Sequence, residues 1–305
     1  SIKNISKRFD RLVEKKRITD EDAYSNKENL IACTSLNELK DCDLIIEAII
    51  EDIDIKINLL QKICKIATNA IIATNTSSLS VSELGHASGH PERVIGMHFF
   101  NPAPLMPLVE VIQGRDSSSN AIQRATLLAE AWGKKVVLAS DTPGFIVNRV
   151  ARPYYLESWR IVSDGFANIN EIDAALELLG GFKMGPFILT DLIGQDINVA
   201  TTNSVWERLN KTNRLTPSSW QASLVSDGFL GKKTGRGAYA YDDEVNITPA
   251  IIFEKNEMNL TESMLNVINN FCSKAILNEA IGDKVSIIEK YIFARVLVSI
   301  INEAL

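Results

Sequence analysis

Apolar residues recur every three or four positions over residues 2–17 and again over 54–67, and this spacing predicts helices that each bury one face. Between them, Thr19 followed by three acidic residues predicts the capped start of a further short helix. The apolar runs at 30–34 and 43–50 are typical of strands, and the isoleucine-rich second run predicts a strand covered on both faces. Helical and strand patterns therefore alternate in the first part of the chain.

The alternation continues up to residue 140. The run 70–78 predicts a third buried strand that ends in small polar residues, and two more strands follow within 94–112. A helix at about 119–132 and a strand at 134–140 complete this part. Strands that alternate with helices favour right-handed crossovers and a mostly parallel sheet, whose ligands bind beyond the carboxyl ends of the strands. The sequence thus predicts an α/β fold in which the polar residues after each strand are candidates for function.

The pattern changes after Pro143 and Gly144, where we place a boundary between a sheet domain and an all-helical domain. Four stretches beyond it have helical periodicity or length, with no convincing strand between them: 145–163, 169–179, 187–209 and 217–226. We expect a sheet domain at 1–141 and a helical domain at 142–242.

The remaining part, 243–305, starts with a polar, unpatterned stretch up to about residue 260 that suits a linker. Helical spacing returns at 261–277. The run 295–305 weakly repeats the segment 148–160, because both carry an arginine, an apolar face and a glutamate.

Residues 94–112 hold the strongest candidate for chemistry. His98 ends one apolar strand and Glu110 lies inside the next, and a loop stiffened by three prolines returns the chain between them, so the carboxylate can face the imidazole. A carboxylate at one ring nitrogen fixes the tautomer and stabilises the protonated ring, which lets the imidazole accept a proton from an alcohol. The alternative is a core histidine bound to a carbonyl, with Glu110 a solvated strand residue. The residues alone leave both interpretations open.

Five strings in this order resemble the L-3-hydroxyacyl-CoA dehydrogenase family. They are NTSSLS at 75–80, HFFNPAP at 98–104, DTPGFIVNR at 141–149, MGPFILTDLIG at 184–194 and GKKTGRGAY at 231–239. The resemblance covers most of residues 1–242 and implies a doubly wound, Rossmann-like NAD-binding domain followed by an all-helical domain of the family's C-terminal type. It also implies NAD-dependent oxidation of an L-3-hydroxyacyl-CoA to the 3-oxoacyl-CoA, as in fatty acid β-oxidation or related acyl-CoA catabolism. Since some long members carry a second copy of the helical domain, 243–305 is expected to hold the start of one.

The resemblance assigns catalytic roles to four residues that match the family in type. It makes His98 the general base and Glu110 its partner, while Ser77 and Asn148 donate to the substrate oxygen from the two sides of a cleft between the domains. Without the resemblance, Ser77 would be a structural turn residue and Asn148 a helix-surface asparagine.

The resemblance also implies contacts with NAD by five residues: Glu51, Lys56, Ser77, Asn101 and Lys233. Taken alone, the two lysines would be ordinary surface residues and Glu51 a solvated loop acid. The 3 histidines and 4 cysteines show no spacing typical of metal ligands, so no metal is expected.

A dinucleotide-binding sheet normally carries GxGxxG in its first strand-to-helix turn, where helix-terminal amides hold the pyrophosphate. None of the 16 glycines forms this pattern. In the family the signature lies upstream of the helix that opens this chain, so the resemblance implies a sequence truncated at its amino end by one strand, one helix and a further strand. We therefore expect the chain as given to bind NAD weakly or not at all.

Composition narrows the expected partners and compartment. The net charge is −6 and the basic residues are scattered, so no basic surface for nucleic-acid binding is expected. No apolar run reaches the ~18 residues needed to span a bilayer, so no membrane insertion is expected, and the widely separated cysteines suit reduced thiols in a cytoplasm. The resemblance implies an acyl-CoA substrate and a homodimer through the helical domain. The apolar run 150–162 is a candidate for that dimer surface and equally for plain core.

Two other functions stay open at this point. A related NAD-dependent enzyme that oxidises a sugar acid such as L-gulonate can keep a string similar to HFFNP, although MGPFILTDLIG and the opening helix favour the thioester. The third interpretation is a binding or structural relative that has lost catalysis. The joint presence of Ser77, His98, Glu110 and Asn148 speaks against it, because a fold without activity has no physical need for all four.

Overall fold

A five-stranded sheet forms the first part of the molecule in the computed structural model, which describes residues 2–242, 247–276 and 285–305. The strands follow one another across the sheet in chain order: β1 Leu44–Glu47, β2 Ile71–Thr74, β3 Val94–Phe99, β4 Leu108–Gln113 and β5 Lys135–Ser140. All neighbours pair in parallel except β3 and β4, which are antiparallel. The mostly parallel α/β sheet predicted from the sequence is confirmed.

Helices cover both faces of this sheet. The helices of this part are α1 Ile2–Glu14, α2 Asp20–Glu28, α3 Ile53–Ile66, α4 Val81–Ser88 and α5 Ser119–Ala131. Ile72 and Val94 pack with α3 and α4 on one face, whereas Ala73 and Ile95 pack with α5 on the other. Adjacent residues of a strand point to opposite faces, so β2 is buried at every position. Thr19 caps α2 in a capping box, as its sequence predicts.

The strand predicted at 30–34 is wrong. Ile31 is 81% exposed in an irregular segment, and the amides of Thr34 and Ser35 donate to the Glu38 carboxylate at 2.9 and 2.8 Å. These bonds cap a short 3₁₀ turn, so the backbone is satisfied locally instead of in a sheet. A short apolar run does not by itself distinguish a strand from a loop that leads into a turn.

Six helices follow the sheet within residues 141–242: α6 Val147–Val150, α7 Arg152–Ser163, α8 Ile169–Gly180, α9 Pro186–Ile193, α10 Gln195–Arg208 and α11 Ser219–Ser226. Two predicted helical stretches are interrupted. The stretch 145–163 breaks at Ala151, because Pro153 has no amide hydrogen for a helical bond. The stretch 187–209 breaks at Gly194, whose φ of +106° does not fit a helix. None of the described helices is long and apolar enough to cross a membrane.

A small hairpin follows these helices. β6 Tyr239–Tyr241 pairs antiparallel with β7 Ile247–Pro249, while 243–246 lie outside the described residues. Part of the stretch predicted to be an unpatterned linker therefore forms a strand. The Asp191 carboxylate of α9 accepts hydrogen bonds from the amides of Ala238 and Tyr239 at 3.0 and 2.9 Å, which fixes the hairpin to the helices.

The last two helices share a core with the preceding ones. α12 Glu262–Ala275 and α13 Ile287–Ala304 contribute Ile268 and Phe293 to the cluster that also contains Tyr154 and Trp159 of α7. The run 150–162 was a candidate for a dimer surface and equally for core, and these contacts place it in the core. The domain boundaries at 142 and 243 and the homodimer stay predictions. Residue 277, the end of a predicted helix, lies outside the described residues.

The weak sequence repeat has a structural counterpart. Arg149 Nε lies 2.6 Å from the Glu303 carboxylate, and Arg295 Nε lies 2.9 Å from the Glu157 carboxylate. In both segments the arginine precedes the glutamate by eight residues, since 157 − 149 and 303 − 295 both equal 8. α13 therefore packs against α6 and α7 through two reciprocal ion pairs.

Candidate active site

His98 and Glu110 face each other across β3 and β4, where they are direct register partners. Their side chains therefore lie on the same face of the sheet, and His98 Nδ1 is 2.6 Å from Glu110 Oε2. Both side chains are buried, His98 at 6% exposure. The contact predicted from the sequence is present. The alternative interpretation, a core histidine bound to a carbonyl, does not apply.

The second oxygen of Glu110 is bound by the start of the helical part. Oε1 accepts hydrogen bonds from the amides of Ile146 and Val147 at 3.0 and 2.8 Å. Such charge-assisted bonds suit an ionised carboxylate. Because an ionised carboxylate only accepts, the hydrogen between the two side chains belongs to Nδ1 of His98. Nε2 is then the nitrogen with the free lone pair in the neutral ring.

Two aromatic rings contact the imidazole. The Phe100 ring centroid lies 4.6 Å from the His98 centroid in an edge arrangement, and the Phe145 centroid lies at 5.8 Å. Phe145 is buried and has a φ of +50°, which is uncommon for a bulky residue. It directly precedes the two amides that hold Glu110. Sequence analysis missed both rings, although they lie inside the strings HFFNPAP and DTPGFIVNR.

The loop after β2 carries Ser77 and is held from the sheet side by Glu51. Glu51 Oε1 accepts hydrogen bonds from the Thr76 hydroxyl at 2.6 Å and from the amides of Ser77 and Ser78 at 2.9 and 3.0 Å. Burial by itself raises the pKa of Glu51, but these hydrogen bonds and the Lys56 charge outweigh it and hold that pKa below its usual value. Glu51 is thus an anionic anchor for the loop.

Lys56 is fully buried, in contrast to the surface lysine that its sequence context suggests. Its Nζ lies 2.7 Å from the Glu47 carboxylate and 3.5 Å from that of Glu51. Glu47 is buried as well and accepts a further hydrogen bond from the Thr74 hydroxyl at 2.7 Å. The observed role of Lys56 is therefore to neutralise Glu47 and support Glu51, while its contact with NAD stays a prediction.

The helical part binds the carbonyl groups of the same loop. Asn148 Nδ2 donates to the Ser77 carbonyl at 3.3 Å, and Arg208 of α10 donates to the Ser78 carbonyl. The Arg208 guanidinium also lies 3.8 Å from the Asp141 carboxylate. Ser77 therefore lies where the sheet and the helices meet. Sequence analysis missed Arg208 because it is 130 positions away from Ser78 and no local signal connects them.

Asn101 and Lys233 lie outside this hydrogen-bonded cluster. Asn101 is exposed in the loop between β3 and β4. Lys233 Nζ pairs with the two oxygens of Asp196 at 2.5 and 2.8 Å, on the helical part. The structure therefore brings Glu51, Ser77 and Asn148 together at one loop and does not join Lys233 to it.

The polar groups that follow β1, β2 and β3 fit the nicotinamide end of NAD. Glu51, Ser77 and Asn101 each follow one of these strands, at the sheet edge where dinucleotides bind in doubly wound folds. A serine hydroxyl and an asparagine amide supply both donors and acceptors to a ring that carries an amide. The residues present are compatible with this cofactor.

Two family models match the chain in succession. Residues 1–142 match the model of the 3-hydroxyacyl-CoA dehydrogenase NAD binding domain, and residues 144–241 match that of the 3-hydroxyacyl-CoA dehydrogenase C-terminal domain. The two matches meet at Pro143 and Gly144, where the observed structure changes from sheet to helices.

Known proteins match across both parts. The 3-hydroxyadipyl-CoA dehydrogenase of Escherichia coli K12 is 42% identical over 245 residues, which are 80% of this chain and 52% of that protein. The 3-hydroxybutyryl-CoA dehydrogenase of Clostridioides difficile is 42% identical over 212 residues, which are 68% of this chain and 74% of that protein. A crystal structure of 3-hydroxybutyryl-CoA dehydrogenase from Escherichia coli K12 matches with a TM-score of 0.78 and 40% identity, over 86% of this chain and 54% of that chain. The chain spans about half the length of these two Escherichia coli proteins. By sequence and by fold, the chain belongs to the 3-hydroxyacyl-CoA dehydrogenase family.

Proposed function

We propose that this chain carries the catalytic centre of an NAD-dependent dehydrogenase that oxidises an L-3-hydroxyacyl-CoA to the 3-oxoacyl-CoA, in fatty acid β-oxidation or related acyl-CoA catabolism. The observation that carries the proposal is the buried pair of His98 and Glu110, with 2.6 Å between Nδ1 and Oε2. The names of the relatives support the thioester as substrate and differ in the acyl group, which is adipyl in one and butyryl in the other.

His98 is the proposed general base. Because Nδ1 is bound to Glu110, Nε2 is the nitrogen that accepts the hydroxyl proton of the substrate. The adjacent carboxylate then stabilises the imidazolium that forms, and it keeps the ring in one orientation. Burial of the pair and the ring of Phe100 limit the access of water to it.

Ser77 and Asn148 are the proposed donors to the substrate oxygen. The contact of the Ser77 hydroxyl with Glu51 is long, at 3.4 Å, and Asn148 uses one of its two amide hydrogens on the Ser77 carbonyl. Within the part of the chain that the structure describes, nothing accepts the second amide hydrogen, which can donate to the oxygen as it becomes a carbonyl. NAD supplies the hydride acceptor when bound, and the residues assigned to it are Glu51, Lys56, Ser77, Asn101 and Lys233.

Oxidation of two alcohols by the purified chain tests this function. 3-Hydroxybutyryl-CoA and L-gulonate are compared at high NAD concentration, and NADH formation is followed by absorbance. We expect turnover of the thioester and none of L-gulonate. A preference for L-gulonate would favour the sugar-acid alternative. If calorimetry shows that NAD is bound under the assay conditions, turnover of neither compound, in either direction of the reaction, would contradict the proposed function.

A further inference from the structure

An apolar cavity of about 430 Å³ lies among the helices that follow the sheet. The described residues that line it are apolar or aromatic except for Lys183, whose side chain is exposed. The Tyr154 hydroxyl already donates to the Met184 carbonyl at 2.7 Å and needs no partner in a ligand. Such walls suit an aliphatic chain better than a polar group. They come from α6, α7, the residue between these helices, α9 and α13, and include Val147, Val150, Ala151, Tyr154, Leu189 and Ile300.

The near end of this cavity adjoins the proposed active site. The amides of Ile146 and Val147 bind Glu110 Oε1 at 3.0 and 2.8 Å, and the same two residues line the cavity. Asn148, the proposed donor to the substrate oxygen, comes next in the chain, and Ala151 lines the cavity again. Residues three positions apart on a helix are neighbours on its surface. The cavity therefore begins about one helical turn from the group that would hold the substrate oxygen.

The helix axis gives a length scale for an alkyl chain that leaves the hydroxyl-bearing carbon beside Asn148. Ala151 and Tyr155, which both line the cavity, lie about 4.5 and 10 Å further along this axis. An extended chain advances about 1.2 Å per bond. About four bonds beyond carbon three therefore reach Ala151, and about eight reach Tyr155. A butyryl chain has a single bond beyond carbon three and ends before the cavity.

α13 provides the opposite wall of the cavity through Ile300. Ile300 precedes Glu303 by one helical turn, and Glu303 pairs with Arg149 and Arg214 at 2.6 and 2.5 Å. These ion pairs hold α13 against the start of the helical part, so the wall has a fixed position. The size of the side chain at position 300 therefore sets how much of the cavity is open to a ligand.

We propose that this cavity binds the alkyl end of the acyl chain and that Ile300 limits the length of that chain. The preferred substrate is then the CoA thioester of an unbranched 3-hydroxy fatty acid of about 8 to 12 carbons. This inference rests on the proposed function and adds the chain length of the acyl group. Each methylene group that enters the cavity leaves water for apolar surroundings, which favours binding. A butyryl chain gains nothing from the cavity.

Calorimetric titration of the purified chain with two thioesters tests the proposal without NAD. 3-Hydroxybutyryl-CoA and 3-hydroxydecanoyl-CoA share the CoA group and the hydroxyl, and they differ in the number of methylene groups. About four carbons of the decanoyl chain reach the cavity. We expect the wild type to bind the decanoyl compound about 10- to 100-fold more tightly. Equal Kd values for the two ligands would overturn the proposal.

Ile300→Trp provides the second arm, because the indole would occupy part of the cavity. The Kd of the decanoyl compound should rise to within about threefold of the Kd of the butyryl compound. Val298→Trp is the matched control, since it puts the same side chain on the same helix but beside another cavity of about 520 Å³. This control should keep the preference. A full preference for the decanoyl compound in Ile300→Trp would contradict this location of the chain.

A third ligand makes the same comparison without a variant, in case Ile300→Trp does not fold. 3,10-Dihydroxydecanoyl-CoA has the length of the decanoyl compound and ends in a hydroxyl, which would be buried among apolar side chains. The wild type should bind it at least about tenfold more weakly than the decanoyl compound. Equally tight binding would place the chain end in solvent and overturn the proposal.

The titrations also separate this inference from the function on which it rests. Binding of neither the butyryl nor the decanoyl thioester would contradict the proposed function together with the inference. Binding of both with the same Kd would overturn the assignment of the cavity alone.

Discussion

Replacing Glu110 with glutamine tests how the carboxylate controls His98. Among the described residues, the close partners of Glu110 are donors: Nδ1 of His98 at 2.6 Å and the amides of Ile146 and Val147 at 3.0 and 2.8 Å. Glutamine has the same shape but only one oxygen. That oxygen satisfies two donors when it faces the backbone amides and one when it faces the ring. We therefore expect the new NH₂ group to face His98.

The expected consequence is a change of tautomer. Because an amide NH₂ donates, Nδ1 of His98 must become the acceptor and the ring hydrogen must move to Nε2. Nε2 then has no lone pair for the substrate proton, and loss of a positioned general base lowers turnover about 10²- to 10⁴-fold. The exchanged hydrogen bonds cost about 1–3 kcal/mol of stability. Activity should thus be lost at temperatures where the variant is still folded.

Nitrogen-15 NMR of histidine-labelled protein reads the tautomer directly, and the chain has only 3 histidines to assign. We expect the His98 hydrogen on Nδ1 in the wild type and on Nε2 in Glu110→Gln, together with the loss of kcat. His90→Gln changes an exposed histidine and serves as the control, with an unchanged His98 signal and unchanged kcat. An unchanged tautomer with full turnover in Glu110→Gln would refute the reasoning.

Two further predictions concern stability. Glu303 of α13 is buried and pairs with Arg149 and Arg214 at 2.6 and 2.5 Å. Glu303→Gln should therefore lower the free energy of unfolding, measured in urea titrations, by about 1–3 kcal/mol. An unchanged free energy of unfolding would show that these pairs do not hold α13 in place. Glu51 has a pKa held below its usual 4.5, so the folded state binds this proton less readily than the unfolded state. Its stabilising contribution is present above pH 4.5 and is lost as the pH falls through the folded pKa. Thermal melts should therefore show a smaller loss of stability on acidification in Glu51→Gln, and an identical pH dependence in both proteins would contradict this origin.

The contact between His98 and Glu110 could be predicted because it depends on features close together in the sequence. Two short apolar strands joined by a proline-rich loop pair with each other, and the pairing puts the two side chains on one face. The alternation of strands and helices between 43 and 140 is similarly local. The wrong prediction of a strand at 30–34 also came from a local pattern. A short apolar run is compatible with a strand and equally with a loop whose amides are capped by Glu38.

The residues that sequence analysis missed depend on how distant segments dock. Arg208 reaches Ser78 only because α10 packs against the loop after β2. Lys56 had one local signal, which was Glu47, an acid inside an otherwise apolar strand. A buried acid needs a buried counter-charge, and Lys56 is the residue that provides it.

The most direct test of the catalytic assignment is kcat for the oxidation of a 3-hydroxyacyl-CoA by His98→Gln, measured beside the wild type at a NAD concentration that supports wild-type turnover. We predict a loss of about 10²- to 10⁴-fold with a far-ultraviolet circular dichroism spectrum like that of the wild type. A kcat equal to the wild-type value would contradict the account, because the proton of the alcohol would then leave through another group.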